Sequence, residues 1–271
     1  MPELPEVETT ARGITPHITG KSFIAVTVRQ PQLRWPIDHL LEQILVGLTL
    51  VQVSRRGKYL LLATASGHLI IHLGMSGSLR IITNNQAPGK HDHIDFLFND
   101  GTLLRFNDPR RFGAVLWTTA PPEAHTLIKD LGPEPLLAAF TGKHLYQLSR
   151  GRKTPVKSFI MDSHTVVGVG NIYANESLFM AGIHPNRHAG KISLARYQRL
   201  VECIQTILAN AIDLGGTTLR DFVNEAGKPG YFQQQLQVYG RAGQACRICQ
   251  QPLTEIRLNN RSSVYCQHCQ T

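Results

Sequence analysis

The sequence has 271 residues, 42% of them apolar, which is enough for a sizeable core in one large or two ordinary domains. No apolar run approaches the ~20 residues that cross a bilayer. Glu3, Glu6 and Glu8 stand where a secretory leader would be basic and then apolar, so a soluble, cytoplasmic protein is expected, without a membrane partner. The net charge of +9 is uneven: residues 1–130 hold 13 Lys+Arg against 11 Asp+Glu, a net of +2, and residues 131–271 hold 15 against 8, a net of +7. Basic excess gathered in one half points to a polyanion, most often nucleic acid.

The first predicted element is a helix from about Pro5 to Ile18, with Val7, Ala11 and Ile14 at helical spacing. Eight short β-branched and aromatic runs follow: "SFIAVTV", "LTLVQVS", "KYLLLAT", "HLIIHLG", "SLRII", "HIDFLF", "TLLRF" and "GAVLWT". Turn signals at Ser66-Gly67 and Asp100-Gly101 separate them, the second a strong hairpin mark. A short helix, "HLLEQILVG", interrupts the series and ends at Gly47. Such spacing predicts an antiparallel sandwich or barrel. After the Pro-rich "APPEAHTLIKDLGPEPL" the pattern turns helical. "SLARYQRLVECIQTILANAIDLGG" runs from an N-cap at Ser193 to Gly215-Gly216, with Leu200, Ile204, Ile207, Leu208 and Ala211 on one face and Cys203 as a buried apolar thiol.

Three stretches carry chemistry. In "MPELPEVETT", Pro2 would become a secondary amine once the initiator methionine is trimmed. Such an amine is partly free base at neutral pH and can form a Schiff base with a carbon electrophile; alternatively Pro2 and Pro5 simply flank a helix start. In "VVGVGNIYANESLFMAG", Gly168 and Gly170 precede Asn171 and a helix. They either let a phosphate approach the helix N-terminus or only shape a tight turn, and the upstream "SRGRKTPVK" leans the choice towards DNA. The third stretch holds four of the five cysteines: Cys246-x2-Cys249, sixteen residues, then Cys266-x2-Cys269. Four thiolates suit one structural Zn2+ closing a β-hairpin; two disulfides are the alternative, disfavoured in a cytoplasmic chain. His268 could compete as a ligand.

Taken in order, "PELPEVET", "GKYLL", "HLGMSG", "KHDH", "DPRRFG", "GVGNIYANE", "GGTTLRDF", "GKPGYF" and the four-cysteine tail resemble the formamidopyrimidine-DNA glycosylase family over essentially the whole chain. The resemblance implies an α+β, multi-domain fold. An N-terminal antiparallel β-sandwich with flanking helices would span 1–130 and a linker 131–150. A helix-two-turn-helix DNA-binding domain would span 151–240 and a zinc-finger hairpin 241–271. It implies a monomer that removes oxidised purines from damaged double-stranded DNA and nicks the resulting abasic site, with zinc as its only cofactor. Pro2 would be the nucleophile, Glu3 the acid/base residue and Glu6 a second carboxylate. Lys58 would serve the damaged nucleotide's phosphate and β-elimination, and Arg261 δ-elimination and phosphate binding. His91, Arg110, Arg152 and Asn171 match DNA contacts. Met75, Arg110 and Phe112 match a triad that fills the gap left by the extruded nucleotide, and "TTLRDFVNEAGKPGYF" matches the segment that closes over it. Two rivals share part of this pattern: the endonuclease VIII branch of the superfamily, which prefers oxidised pyrimidines, and a zinc-finger DNA-binding module without catalysis.

Overall fold

The computed structural model describes residues 1–82, 86–217, 226 and 231–271. The chain forms two compact units, one of residues 1–130 with 214–231 and the other of residues 131–213 with 232–271.

The first unit opens with helix α1 (Leu4–Ile18). Its stripe of Leu4, Val7, Ala11, Ile14 and Ile18 is buried, following the i, i+3, i+7 spacing of the sequence. Strand β1 (Phe23–Val28) and the short helix α2 (Leu41–Leu45) come next. The seven remaining runs form strands where the sequence predicts them: β2 (Leu50–Arg56), β3 (Tyr59–Thr64), β4 (Gly67–His72), β5 (Ser78–Ile82), β6 (Asp92–Phe98), β7 (Leu103–Asn107) and β8 (Ala114–Thr118) complete the set of eight begun by β1. They build two four-stranded antiparallel sheets, ordered β1-β6-β7-β5 and β2-β3-β4-β8. The inward residues Phe23, Leu60, Leu62, Leu69, Ile71, Phe96, Phe98, Leu104, Phe106 and Val115 form one core with Val7, Ala11, Ile14 and Ile18 of α1. The Asp100-Gly101 signal makes the β6–β7 hairpin, where Gly101 takes φ +85° and donates its N–H to Phe98 O at 2.9 Å.

One polar cluster is built into this unit. Arg105, 2% exposed on β7, donates Nε and Nη2 to the two oxygens of Asp95 at 2.7 and 2.8 Å. Arg29 reaches Asp95 at 2.6 Å, and Arg80 reaches Asp92 at 3.0 Å. Burial works to raise the Asp95 carboxyl, but the guanidiniums of Arg105 and Arg29 outweigh it and hold the carboxyl below its usual range. Asp92 also accepts the Gly89 N–H at 2.7 Å and Asn107 Nδ2 at 2.8 Å, which anchors the "GKHDH" segment to β7.

The second unit holds α3 (Gly142–Ser149), α4 (Val156–Ile160), α5 (Asn171–Met180) and α6 (Leu194–Asp213). The predicted apolar face of α6 is buried, Cys203 with it, and burial pushes the Cys203 thiol up. Ser193 Oγ accepts the Arg196 N–H at the start of α6, and Gly215 follows its end with φ +75°. Strands β9 (Thr254–Leu258) and β10 (Arg261–Tyr265) pair as a hairpin. Among the described residues, no helix is long and apolar enough to cross a membrane.

Removing a partner from a buried charge cluster leaves the remaining charges uncompensated, at about 3–5 kcal/mol. Arg105→Ala is therefore expected to lower the unfolding free energy by about that amount in urea denaturation, whereas Arg12→Ala, which removes an exposed ion pair, shifts it by under about 1 kcal/mol.

Candidate active site and metal centre

Pro2 and Glu3 are buried just ahead of α1. Glu3 is its N-cap, with extended backbone at φ −102° and ψ −169°. The Glu3 N–H donates to Glu6 Oε2 at 2.7 Å, and the other oxygen of Glu6 accepts the Thr217 N–H at 2.7 Å. Glu6 is 2% exposed, so both donors act on a dry carboxylate and hold the Pro2-Glu3 backbone rigid. Gly216, at φ +82°, lets the chain pass this carboxylate; a Cβ there would lie 3.0 Å from Glu6 Oε1. One turn further on, Glu8 bridges Arg12 at 2.8 Å and Arg55 at 2.9 Å, which ties α1 to β2.

Lys58 is half-buried in the two-residue turn between β2 and β3, preceded by Gly57 at φ +58°. Opposite lies His72, whose ring packs 4.9 Å from that of Tyr59. Burial pushes the His72 imidazole down to about 4, and the Lys58 and Arg34 charges push the same way. Neutral His72 accepts the Gly74 N–H on Nδ1 at 3.0 Å, which starts the tight 73–77 turn that carries Met75.

Met75 is 37% exposed and Phe112 is 45% exposed, so neither belongs to the core. The Arg110 guanidinium lies 5.1 Å from the Phe112 ring centroid, a cation–π contact. Between them Arg111 sits at φ +56°, the left-handed region that a non-glycine residue occupies only under local constraint. His91 is half-buried at the start of β6, where its carbonyl accepts the Asp108 N–H at 3.0 Å.

In the second unit, α5 begins at Asn171 behind Gly168, at φ +82°, and Gly170, the N-cap. Asn171 Oδ1 is buried and has no hydrogen-bond partner among the described residues. Arg152 is exposed beside α4, its Nε fixed to Leu148 O at 2.8 Å and its guanidinium 5.6 Å from the Phe159 ring centroid. Arg261 is exposed where the hairpin returns, after Asn259 and Asn260 at φ +47° and +60°. It lines a cavity of about 180 Å³ with Lys157, Ser158 and Asn259.

The Sγ atoms of Cys246, Cys249, Cys266 and Cys269 lie within 4.8 Å of one another, with Cys249–Cys266 at 3.4 Å and Cys246–Cys269 at 4.0 Å. A zinc tetrahedron with ~2.3 Å Zn–S bonds has S–S edges of about 3.8 Å. The four sulfurs fit that donor set without His268, which is exposed.

Comparison with known proteins covers both units. Residues 1–115 match the family model described as the formamidopyrimidine-DNA glycosylase N-terminal domain, and residues 131–223 match the H2TH domain of the same family. Residues 243–271 match a zinc finger found in these glycosylases and in IleRS. The formamidopyrimidine-DNA glycosylase of Methylococcus capsulatus is 61% identical over 270 residues, covering 100% of both chains, and that of Teredinibacter turnerae is 61% identical over 271 residues with the same coverage. This chain belongs to the formamidopyrimidine-DNA glycosylase family. Its fold matches the MutM (Fpg) protein of Thermus thermophilus at a TM-score of 0.88, with 35% identity over 99% of this chain and 98% of that one. It also matches Lactococcus lactis Fpg in complex with abasic-site DNA at a TM-score of 0.91, with 33% identity over 99% of both chains. The tail is the family's zinc finger, with one structural zinc held by its four cysteines.

Within each unit of this glycosylase the sequence-predicted residues fall on turns, connecting segments and the ends of helices and strands. Pro2, Glu3, Lys58, Met75, His91, Arg110 and Phe112 belong to the first unit, and Arg152, Asn171, Arg261 and the four cysteines to the second. The expected closing segment, apart from Thr217, Ala226, Tyr231 and Phe232, lies outside the described residues. Sequence reasoning missed several residues that hold these turns in place. Lys157, 1% exposed, donates Nζ to Ser262 O at 2.6 Å and Ser263 Oγ at 2.7 Å. Asn175 Oδ1 accepts the Val264 N–H at 2.9 Å, and Glu176 accepts three consecutive N–H groups, from Gln237, Val238 and Tyr239, at 2.8–3.0 Å. No short-range pattern marks these long-range partners. Asp108, ahead of Pro109, carried a turn-former signal that could have found it.

A lowered histidine pKa makes the unfolded state the better proton binder between the two values. The native fold should therefore lose stability as pH falls from about 6.5 towards about 4, by on the order of 3 kcal/mol from His72. NMR titration should find His72 neutral at pH 6, and a normal midpoint would refute the burial argument.

Proposed function

We propose that this glycosylase excises oxidised purines, 8-oxoguanine and formamidopyrimidines, from damaged double-stranded DNA, and cuts the strand through a Schiff base on Pro2. The observation that carries this reading is the dry, doubly anchored turn at Glu6, which fixes the residue next to Pro2 in a single backbone conformation. A nucleophile held so pays its positioning entropy during folding and not at each turnover. The names of the relatives and the abasic-site DNA in the Lactococcus lactis complex support the same substrate class.

With Met1 removed, the Pro2 nitrogen attacks C1′ of the extruded nucleotide. The C1′–base bond breaks and the base departs with its electron pair, protonated as it leaves. Ring opening of the sugar gives an iminium between Pro2 and C1′. That cation makes the C2′ proton acidic. Its removal expels the 3′ phosphate (β-elimination), and loss of a C4′ proton then expels the 5′ phosphate (δ-elimination). Glu3, 2% exposed beside Pro2, is assigned proton transfer at the sugar. Lys58 is assigned the damaged nucleotide's phosphate and the β step, and Arg261 phosphate binding and the δ step. The exposed Met75, Arg110 and Phe112 are assigned to the void left by the extruded base, whose removal from the stack costs a few kcal/mol. His91, Arg152 and Asn171 are assigned to DNA contacts, the last at a helix N-terminus whose dipole favours phosphate. Zinc in the finger would supply no chemistry to the sugar; its four thiolates hold the hairpin that presents Arg261.

Borohydride reduction on an 8-oxoguanine duplex should give a covalent protein–DNA adduct through Pro2. Absence of an adduct would leave a DNA-binding module, and stronger trapping on an oxidised-thymine duplex would move the chain to the endonuclease VIII branch. Pro2→Gly keeps an amine and should retain part of the abasic-site cleavage; full activity in a form that keeps Met1 would refute the nucleophile.

The phosphate roles make a separate, quantitative expectation. Log Kd against log salt should be linear, and Arg261→Ala should flatten the slope by about one phosphate equivalent. An unchanged slope would remove Arg261 from the phosphate contacts.

A further inference from the structure

Asp108 is fully buried, yet it follows β7 at the point where the chain leaves the sandwich to form the Arg110–Phe112 turn. Its Oδ1 accepts the Ser76 hydroxyl at 2.7 Å and its Oδ2 accepts the Gly113 N–H at 2.8 Å. Ser76 Oγ in turn accepts the Arg110 N–H at 3.2 Å. The carboxylate therefore lies between the turn that carries Met75 and the far end of the turn that carries Arg110 and Phe112. The backbone of Asp108 makes a third connection: its N–H donates to His91 O at 3.0 Å, and its carbonyl pairs with His93 Nε2 at 2.8 Å.

The two turns also touch without intervening side chains. A Cβ on Gly74, at φ +62°, would fall 2.4 Å from Phe112 C and from Gly113 N. A Cβ on Gly113 would fall 3.0 Å from Asp108 Oδ2 and 2.9 Å from His72 O. At both positions a side chain would collide with the neighbouring turn, so the two backbones pack directly against each other.

We propose that Asp108 is a positioning residue that locks the Met75 turn, the Arg110–Phe112 turn and the His91 strand end into one rigid edge, so that the inserted side chains enter the duplex together. The proposal rests on the duplex roles assigned above to Met75, His91, Arg110 and Phe112. A side chain that fills a gap in stacked bases works only at one depth, and the lock sets that depth in advance of binding. The demand is greatest for a paired base, which must be unstacked and unpaired, and smaller at a site that has already lost its base.

The test compares two single-turnover rates, base removal from an 8-oxoguanine:cytosine duplex and strand cleavage of the same duplex carrying a preformed abasic site. Asp108→Ala should lower the ratio of the first to the second at least tenfold, Ser76→Ala by less, and Asp108→Asn least, because an amide oxygen still accepts the Gly113 N–H. In a Met75→Ala/Phe112→Ala background, Asp108→Ala should lower the ratio no more than about threefold further, since the lock would then have little left to position. Parallel loss of both rates, with a lower Tm, would mean that Asp108 only stabilises the fold and would overturn the proposal, as would an unchanged ratio. Should Asp108→Ala fail to fold, Ser76→Ala decides alone. If Met75→Ala/Phe112→Ala itself leaves the ratio untouched, the insertion roles fail and the lock falls with them; if that variant responds and the Ser76 and Asp108 variants do not, only the lock falls.

Discussion

A buried carboxylate survives only if donors surround its oxygens, and this chain spends that requirement on backbone. Glu6 gathers the N–H groups of Glu3 and Thr217, Asp108 that of Gly113, Asp92 that of Gly89, and Glu176 those of Gln237, Val238 and Tyr239. Each fixes an irregular segment that no helix or ladder would hold. Leaving such donors unmet would cost about 1–3 kcal/mol each. Two of these segments, at Glu3 and at Gly113, adjoin residues with proposed roles, so the rigidity of those parts comes from buried acids behind them. For Glu176, burial pushes the carboxyl up even as the three N–H groups act against it, which shows how far from water it lies.

The regular scaffold was open to reading because its signals are local. The eight strand runs, the Asp100-Gly101 hairpin and the α6 span from Ser193 to Gly215 each follow from residues a few positions apart. The four cysteines declared their partnership through spacing alone, and their sulfurs converge as a tetrahedral metal requires. Exposure of Met75 and Phe112 followed from neighbouring glycines, a local cue as well.

What stayed hidden is long-range and polar. Lys157 meets Ser263 across 106 positions, Asn175 meets Val264 across 89, and Glu6 meets Thr217 across 211. A lysine in "PVKSF" reads as solvated surface, and only the fold shows that its ammonium is enclosed against the finger hairpin. Nor could strand alternation reveal that Asp92, Asp95 and Arg105 share a cluster: Asp92 and Asp95 stand three positions apart on β6, the ladder shifts register between Asp92 and Ile94, and the pairing of β6 with β7 is not written in either strand.

The side chains of Met75, Arg110 and Phe112 stand outside the sandwich interior while their turns are braced from within. Replacing an outward side chain on a braced turn typically shifts stability by no more than about 0.5 kcal/mol. Folding therefore places little restriction on the tip of this edge, whereas Gly74, Ser76, Asp108 and Gly113 are bound to one another and must change in concert or not at all.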